Sequence, residues 1–358
     1  MKIEIHDAKT LPVRQWERYV SEHPRANLYH RHGWGMVVWK SYGHRPFFLI
    51  CRGTEGNLAG ILPVVWIESA LFGNRLVSIP FFDIGGILAD SPRAELALFE
   101  AARGLGRQFR ISRLEIRQAS ALAAFEDRSG ANLPESRNHK VRMLLSLPSS
   151  PEELMSGFKS KLRSQIRKPT KEGLRARVGS LELMDDFYAV FVRNMRDLGS
   201  PVHSRRLVEN VVREFPDRTR IVMVYDRDGS PAACSLVVGF REVLANPWAS
   251  ALREYNKKSP NMLLYWTMLS HACERGYRVF DFGRSTPGEG TYRFKKQWGA
   301  EPVPIHWYSL RLRGASEPED AQGGYDSGRF DRIIELWKRM PVSWSRRLGP
   351  AIRRQIDL

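Results

Sequence analysis

Residues 278–299 (RVFDFGRSTPGEGTYRFKKQWG) constrain this chain more than any other stretch, because three local signals follow one another within them. Residues 277–282 are aromatic and β-branched and predict a short buried strand. Residues 283–290 form a glycine-rich loop, and the basic, aromatic residues 291–298 predict a short helix that ends at Gly299. A strand, a glycine-rich turn and a helix N-terminus let the backbone approach a ligand closely and direct amide groups toward it.

Basic side chains surround this turn, so the predicted ligand is anionic or carries a carbonyl group. They are Arg284, Arg293, Lys295 and Lys296. A purely structural turn is the alternative, since glycine-rich strand–helix turns are common. The Asp-Phe-Gly triplet at 281–283 also matches a kinase metal-binding motif, but no His-Arg-Asp loop or Val-Ala-Ile-Lys strand accompanies it.

The charge balance predicts a negatively charged partner. The 358 residues carry a formal net charge of +17, which favours a tRNA, a phosphate-rich small molecule or an anionic membrane surface. A generally basic protein with solvated arginines is the alternative, and DNA is not a predicted partner. The length suggests two domains.

The cysteines predict a reduced, cytoplasmic protein with no disulfide framework and no metal site. Cys51, Cys234 and Cys273 lie in apolar runs, and none is within metal-ligand spacing of another. The first ten residues, MKIEIHDAKT, lack the apolar core of a signal peptide. Since no run of about 18 apolar residues occurs, no spanning helix is expected; peripheral attachment to the inner membrane is the alternative to a fully cytoplasmic location.

A basic helix is predicted to begin at residues 149–153 and to end at Pro169. Ser150 is its candidate cap. An apolar residue recurs every fourth position and predicts the buried stripe: Leu154, Phe158, Leu162 and Ile166. Residues 159–177 contain eight basic residues and one acid. A solvated face usually mixes charges, so an anion-binding face is predicted, formed by Lys161, Arg163, Arg167 and Lys168.

The order of predicted elements indicates a mixed α/β (α+β) protein with two α/β units. Strands at 114–117 and 140–147 are expected to close the first half, and the strands at 277–282 and 303–311 to share one sheet in the second. The predicted divisions are an N-terminal domain at 1–148, a C-terminal domain at 149–312, a linker at 313–328 and a tail at 329–358.

The tail combines apolar residues at helical spacing with many arginines. Ile333, Ile334, Trp337, Trp344 and Leu348 belong to the apolar set. A basic amphipathic helix of this kind either lies on an anionic bilayer or packs on the protein's own surface, and the sequence does not choose between the two.

Two segments resemble the FemAB-like branch of the GNAT acyltransferase superfamily. Residues 281–285 read Asp-Phe-Gly-x-Ser, and residues 292–299 read Tyr-Arg-Phe-Lys-Lys-x-Trp-Gly. Upstream, residues 161–168 read Lys-Leu-Arg-Ser-Gln-Ile-Arg-Lys and are followed by Gly-Leu at 173–174. The resemblance covers about residues 1–348 and is closest to FemAB-like proteins that accompany exosortase (PEP-CTERM) and exopolysaccharide systems in Gram-negative bacteria.

This resemblance implies tandem GNAT-like domains and transfer of an acyl or aminoacyl group. The donor would be an acyl-CoA-type thioester or an aminoacyl-tRNA, used as a co-substrate without a permanently bound cofactor. The acceptor would be an amine or hydroxyl of a cell-envelope or exopolysaccharide precursor. The chain departs from acetyl-CoA users at residues 253–261, which lack the usual glycines, and this puts the usual pyrophosphate cradle in doubt.

Matching to the family motif makes Lys295 the first candidate for a catalytic cation, with Asp281 and Glu289 as candidate bases. The candidate substrate-binding residues are Lys161, Arg163, Arg167, Lys168, His203, Arg284, Ser285, Tyr292, Arg293 and Lys296. We expect the two motif segments to face one cleft. The alternative function is a non-catalytic, membrane-associated assembly factor on the same fold. A nucleic-acid-binding module is less favoured, because aromatic residues do not interleave with the basic run.

Overall fold

A computed structural model describes residues 1–69, 73–126, 134–137, 139–312 and 327–357. It divides the chain into two compact units. The first comprises Met1–Val141, Pro304–Ser316 and Arg354–Leu358, and the second comprises Arg142–Val303 and Glu317–Arg353. The predicted linker at 313–328 lies outside the described residues except for its last two positions.

Strands and helices are interspersed along both parts of the chain. The first part contains β1 (Lys2–His6), α1 (Val13–Glu22), α2 (Gly33–Tyr42), β2 (Arg45–Arg52), β3 (Leu58–Ile67), β4 (Arg75–Val77), β5 (Leu88–Ala89), α3 (Pro92–Gln108), β6 (Arg113–Gln118), α4 (Ala123–Glu126) and β7 (Glu135–Arg137). The second part contains β8 (Val141–Ser146), α5 (Pro151–Gly157), α6 (Ser160–Lys171), β9 (Arg175–Gly179), α7 (Met184–Asp197), α8 (Arg205–Glu214), β10 (Thr219–Tyr225), β11 (Pro231–Phe240), β12 (Val243–Ala251), α9 (Pro260–Glu274), β13 (Val279–Ser285), α10 (Gly290–Lys296), β14 (Glu301–Pro304), β15 (His306–Arg311), α11 (Ser327–Arg339) and α12 (Val342–Arg353).

The first unit is built on a mixed sheet in the order β1-β2-β3-β4-β6-β15-β7, with β5 paired to β3. Helix α3 covers this sheet. It begins at Ser91, whose hydroxyl accepts the Ala94 N–H, and it buries Leu98, Phe99 and Ala102 in the core. The apolar residues of α3 recur at three- and four-residue spacing, and this periodicity places them on the face that packs against the strands.

The second unit contains a sheet in the order β14-β8-β13-β12-β11-β10-β9. Helix α7 packs against β11 and β12, and α9 packs against β10 and β11. In this sheet β12 and β13 are a parallel pair, and α9 connects them. The mixed α/β class is therefore confirmed in both units.

Two strands lie in different sheets from those expected. The strand predicted at 303–311 divides into β14, in the second sheet, and β15, which pairs with β6 from His306↔Gln118 to Arg311↔Arg113 in the first. The expectation that 277–282 and 303–311 share one sheet is therefore wrong. Strand β8, expected to close the first half, belongs to the second sheet. An alternating pattern defines which face of a strand is buried, but it does not select the neighbouring strand.

The predicted basic helix is broken into α5 and α6. Ser150 caps α5 as expected, since its hydroxyl accepts the Glu153 N–H. Phe158 then adopts an extended conformation, and Arg163 Nη1 donates to its carbonyl oxygen at 2.6 Å. The expected end at Pro169 is wrong, because α6 continues to Lys171. The predicted stripe of Leu154, Phe158, Leu162 and Ile166 is buried in spite of the break.

Helices α11 and α12 both contact α7 within the second unit. Helix α12 packs through its small residues: Ser345 and Gly349 are buried, and a Cβ atom at Gly349 would meet Val202 at 2.9 Å. Its large apolar residues Trp344 and Leu348 are instead 62% and 41% exposed. The tail therefore packs on the protein while leaving apolar side chains at the surface.

Candidate functional site

The parallel strands β12 and β13 separate after a short paired region. Their register runs from Val243↔Val279 to Ala245↔Asp281, although both strands continue beyond these residues. Strand β12 is irregular at the same point, because Asn246 and Pro247 lie between the residues that pair with Val238 and Leu236 of β11. An irregularity of this kind bends a strand and interrupts pairing. The separated segments form the centre of the candidate site.

Gly283 gives β13 its conformation on the separated side. Its φ of +75° is readily adopted only by glycine, and a Cβ atom there would lie 3.4 Å from the Asn246 carbonyl oxygen. The predicted strand and helix are confirmed, although β13 continues to Ser285 and α10 begins at Gly290.

Asp281 is buried, and both of its carboxylate oxygens have partners. Arg142 on β8 donates Nε and Nη2 to Oδ2 at 3.0 and 2.7 Å. Oδ1 accepts the Gly283 N–H at 2.8 Å. These contacts fix the position of β13 at the end of its paired region with β12, so Asp281 is placed to orient the strand.

Lys295 is also buried, at 7% exposure. Its ammonium donates to the carbonyl oxygens of Gly283 and Arg284 at 3.2 and 2.8 Å. Since α10 carries Lys295 and β13 carries the two carbonyl groups, the side chain connects the helix to the strand that precedes the glycine loop.

Two buried polar atoms near these elements have no hydrogen-bond partner among the described residues. They are the hydroxyl of Ser285, at the end of β13, and the indole nitrogen of Trp298, after α10. Ser285 is 4% and Trp298 is 1% exposed. A buried donor without a partner is rare in a folded protein and costs about 1–3 kcal/mol, so both are candidates for ligand contacts.

A pocket of about 910 Å³ lies in the second unit where the two motif segments meet. Its apolar wall includes Phe158 and Trp298, whose rings are 5.7 Å apart in an edge-to-face arrangement. Three lysines and one acid contribute charge: Lys159, Lys161, Lys296 and Glu153. An apolar wall combined with clustered ammonium groups suits a ligand that has phosphate groups and an apolar portion.

Of the predicted site residues, all of which the structure describes, Lys161 and Lys296 line this pocket. Arg163 instead donates to the carbonyls of Phe158 and Ser156 and so caps α5. Lys296 also forms an ion pair with Glu301 at 2.9 Å. The two motif segments therefore come together through Lys161 and residues 296–299, and not through the loop around Arg284.

The remaining predicted residues lie outside the pocket lining. Arg167, Lys168 and Glu289 are exposed, and the Glu289 side chain makes no capping hydrogen bond to α10. Tyr292 is half-buried, and Arg293 donates to the Gly288 carbonyl oxygen at 2.7 Å.

His203 is buried away from these residues. Its Nε2 accepts the Arg353 Nε–H at 3.1 Å, and its ring lies against Trp248. Burial, and then the Arg353 charge, hold the pKa of His203 well below its ordinary value. This environment is that of a neutral, structural histidine.

Sequence reasoning did not identify Arg142, Lys159 or Trp298 as functional residues. Both Lys159 and Trp298 could have been predicted from the sequence, since Lys159 begins the basic run and Trp298 belongs to the motif. Arg142 carried no such signal, because its partner Asp281 is 139 positions away.

Comparison with known proteins agrees with this description of the fold. Residues 156–296 match the model of an acetyltransferase (GNAT) domain. No curated protein sequence is significantly similar to the chain. Within the described residues, no helix is both long and apolar enough to cross a membrane.

Several solved structures are similar in fold at low sequence identity. FemX is 15% identical with a TM-score of 0.64, covering 87% of this chain and 98% of that one. The C-terminal domain of a putative lysylphosphatidylglycerol synthetase from Agrobacterium fabrum is 13% identical with a TM-score of 0.55, covering 84% and 92%. A tandem GNAT protein from the clavulanic acid biosynthesis pathway is 14% identical with a TM-score of 0.54, covering 88% and 100%.

The matched domain contains the separated parallel strands, most of the pocket lining and both motif segments up to Lys296. The narrower resemblance to exosortase-associated proteins has no counterpart among these structures and stays a hypothesis. The second unit thus contains a match to an acetyltransferase (GNAT) domain at residues 156–296, and the chain as a whole is similar in fold to FemX and to a tandem GNAT protein.

Proposed function

We propose that the protein transfers an acyl or aminoacyl group from an activated, phosphate-bearing donor to an amine or hydroxyl of a cell-envelope or exopolysaccharide precursor. The observation that carries this proposal is the joining of the two motif segments in one lysine-rich pocket of the second unit. An acyl-CoA-type thioester and an aminoacyl-tRNA share the chemistry that this pocket recognises, namely phosphate groups.

The reaction requires attack by the acceptor on the donor carbonyl carbon. A new C–N or C–O bond forms, the C–S bond of a thioester or the ester C–O bond of an aminoacyl-tRNA breaks, and the acceptor proton passes to the leaving group. Main-chain N–H groups of the separated strands would stabilise the charge that develops on the carbonyl oxygen. The Ser285 hydroxyl is positioned at the end of β13 to contribute a further hydrogen bond.

The candidate catalytic residues then have different roles. Asp281 and Lys295 act as positioning residues, since their polar atoms hold β13 and the glycine loop in place. Glu289 is exposed in that loop and is the candidate base for the acceptor proton. Lys159, Lys161 and Lys296 bind the donor phosphates.

Peripheral attachment to an anionic membrane fits a lipid-linked precursor as the acceptor. The exposed apolar residues Leu336, Trp344 and Leu348 lie beside the exposed cations Arg339 and Arg347. An apolar side chain that enters the headgroup region and a cation that contacts anionic lipid act together in such binding.

The experiment that tests the donor class compares three probes: acetyl-CoA, palmitoyl-CoA and bulk tRNA charged with radiolabelled amino acids. Binding is measured by calorimetry or filter retention, and transfer by thiol release or loss of the aminoacyl ester in the presence of amine-bearing sugars. We expect one donor class to bind and Lys161→Ala with Lys296→Ala to weaken it about tenfold or more. That loss should shrink at high salt, which screens the attraction.

Lys171→Ala is the matched control, because Lys171 is an exposed lysine of α6 outside the pocket lining. A folded protein that binds none of the three donors would contradict the proposal. Equal weakening by the pocket variants and by Lys171→Ala would contradict the assignment of the pocket.

A further inference from the structure

Residues 354–357 follow α12 and belong to the first unit. Asp357 is only 3% exposed there. Its main-chain carbonyl oxygen accepts the Phe81 N–H at 2.8 Å and Arg117 Nη1 at 2.9 Å. Its carboxylate accepts Arg75 Nη1 at 2.7 Å and lies 3.5 Å from Arg117 Nη2. Both the main chain and the side chain of Asp357 are therefore bound.

The preceding residues are held by their main-chain groups. His44 Nε2 donates to the Arg354 carbonyl oxygen at 2.8 Å, and Arg75 Nη2 donates to the Gln355 carbonyl oxygen at 3.0 Å. A protein binds an extended peptide through contacts of this kind. Hydrogen bonds hold successive main-chain carbonyl groups, and a pair of arginines binds the one acidic side chain.

Arg117, the most deeply buried cation of this site, is held in place by residues of the first unit other than 354–357. Arg117 is fully buried, and its Nε and Nη1 donate to Glu115 Oε1 at 2.6 Å and to the Phe82 carbonyl at 2.9 Å. Its guanidinium also lies over the Trp307 ring at 4.4 Å. Arg117 is therefore ordered by groups other than Asp357, and removal of Asp357 leaves a buried guanidinium without this carboxylate.

Backbone strain marks the same place. Ile79 and Phe81 have φ values of +50° and +73°, a region that branched and aromatic residues rarely adopt. Strain of this kind persists where surrounding contacts impose it, and it concentrates at binding sites. Phe81 is the residue whose N–H donates to Asp357.

The position of this site repeats that of the candidate active site. Strands β4 and β6 are a parallel pair whose register runs from Arg75↔Arg113 to Val77↔Glu115, and α3 lies between them in the chain as α9 lies between β12 and β13. Phe81 and Arg117 lie just beyond the paired region. In the first unit, the two residues just beyond the parallel pair therefore both bind Asp357 of the same chain.

We propose that the first unit contains a binding site for an acidic peptide segment, and that residues 354–357 of this chain are its ligand. The site recognises an aspartate through Arg75 and Arg117 and two preceding carbonyl groups through His44 and Arg75. The segment follows the parallel pair β4 and β6, as the separated ends of β12 and β13 follow the parallel pair in the second unit.

The test uses the full chain and a fluorescein-labelled peptide that spans residues 352–358. In wild type, the protein's own segment competes, so we expect little binding by fluorescence anisotropy. In the Asp357→Ala protein that segment is weakened, and we expect the labelled peptide to bind and to raise the melting temperature. A peptide with Asp357→Asn should bind about 10- to 100-fold more weakly, because it loses hydrogen bonds to two charged groups.

Glu55→Ala is the control, since Glu55 is an exposed acid in the turn between β2 and β3 of the same unit. It should resemble wild type in peptide binding. A folded Asp357→Ala protein that does not bind the peptide would overturn the proposal, as would equal affinity for the two peptides.

A second measurement covers the case in which Asp357→Ala does not fold. Hydrogen exchange of wild type should then show a protected Phe81 amide, and exchange should rise at least tenfold in Asp357→Asn. Unchanged exchange would show that the segment does not occupy the site.

Discussion

Arg142 donates Nε and Nη2 to a single carboxylate oxygen of Asp281, at 3.0 and 2.7 Å, while the other oxygen accepts the Gly283 N–H at 2.8 Å. Both side chains are at least 87% buried within the second unit, with side-chain exposures of 13% and 8%. The pair connects β8 to β13 at the last residue that β13 pairs with β12. It therefore stabilises the point from which the two strands separate.

Arg142→Met should lower the free energy of unfolding by about 3–5 kcal/mol, because Asp281 would remain buried without its partner. Urea unfolding measures this change. Arg193→Met is the matched control, since the Arg193–Glu254 pair is 42% and 45% exposed and should contribute less than about 1 kcal/mol. Replacing both Arg142 and Asp281 by apolar residues should recover much of the stability, and a loss equal to that in the single variant would contradict this explanation.

Lys295→Ala should reduce turnover on the order of 10²-fold with a smaller effect on donor affinity. The ammonium holds the carbonyl groups of Gly283 and Arg284, so its removal releases the end of β13, which we propose stabilises the reacting carbonyl group, and loss of such preorganisation typically costs this much. Steady-state kinetics separate kcat from KM, and hydrogen exchange over residues 283–290 should rise in parallel. Lys296→Ala is the neighbouring comparison and should mainly raise KM. Normal turnover together with unchanged exchange in Lys295→Ala would rule out the positioning role.

Trp344→Ala and Leu336→Ala should each weaken binding to anionic vesicles several-fold and have little effect on neutral ones. Both side chains are more than half exposed, so their replacement should remove the proposed membrane contacts without disturbing the core. Sedimentation with vesicles of phosphatidylglycerol or phosphatidylcholine measures the difference. Leu181→Ala tests specificity, because Leu181 is 37% exposed elsewhere in the second unit. If the two tail variants bind anionic vesicles as wild type does, these helices are not the attachment surface.

The stability of the second unit should fall as the pH decreases below about 6.5, and His203 should account for part of this slope. Burial, followed by the charge of Arg353, lowers the pKa of His203 in the folded protein, whereas the unfolded chain protonates near 6.5. The unfolded state therefore binds the additional proton, and acid favours unfolding by about 1.4 kcal/mol per pH unit for each such group. Burial also lowers the pKa of His271 to about 4, so it adds to the same trend.

His203→Gln should flatten this dependence, as measured by urea unfolding between pH 5 and 7.5. His139→Gln is the control, since His139 is exposed. An equal slope in His203→Gln and in wild type would contradict the assignment.

Local signals in the sequence determined the secondary structure near the site. The glycine loop between β13 and α10 follows from residues that tolerate positive φ, and the start of α5 follows from the Ser150 hydroxyl, because both depend on groups within a few positions of one another. The motif at 281–299 predicted a GNAT-like domain for the same reason, since its residues lie in one continuous segment, and residues 156–296 match the model of an acetyltransferase (GNAT) domain. The fourfold spacing of Leu154, Phe158, Leu162 and Ile166 predicted which residues are buried, but not the break between α5 and α6, which is accompanied by the contacts of the Arg163 side chain.

The tertiary structure decided everything that depends on distant partners. The sequences of strands β8 and β15 would suit either sheet. The pairing of β8 with β13 and of β15 with β6 assigns each to its sheet, because a side-chain period of two does not specify the neighbouring strand. Asp281 and Lys295 carry charges suited to catalysis, but their partners are Arg142 and the carbonyls of Gly283 and Arg284, and for this reason we propose that both residues position β13. In α12, burial of Ser345 and Gly349 leaves Trp344 outside, since close helix packing favours small residues. The sequence by itself thus determined the local elements and the match to a GNAT domain, and packing between residues far apart in the chain decided which charges and apolar groups remain available to a ligand.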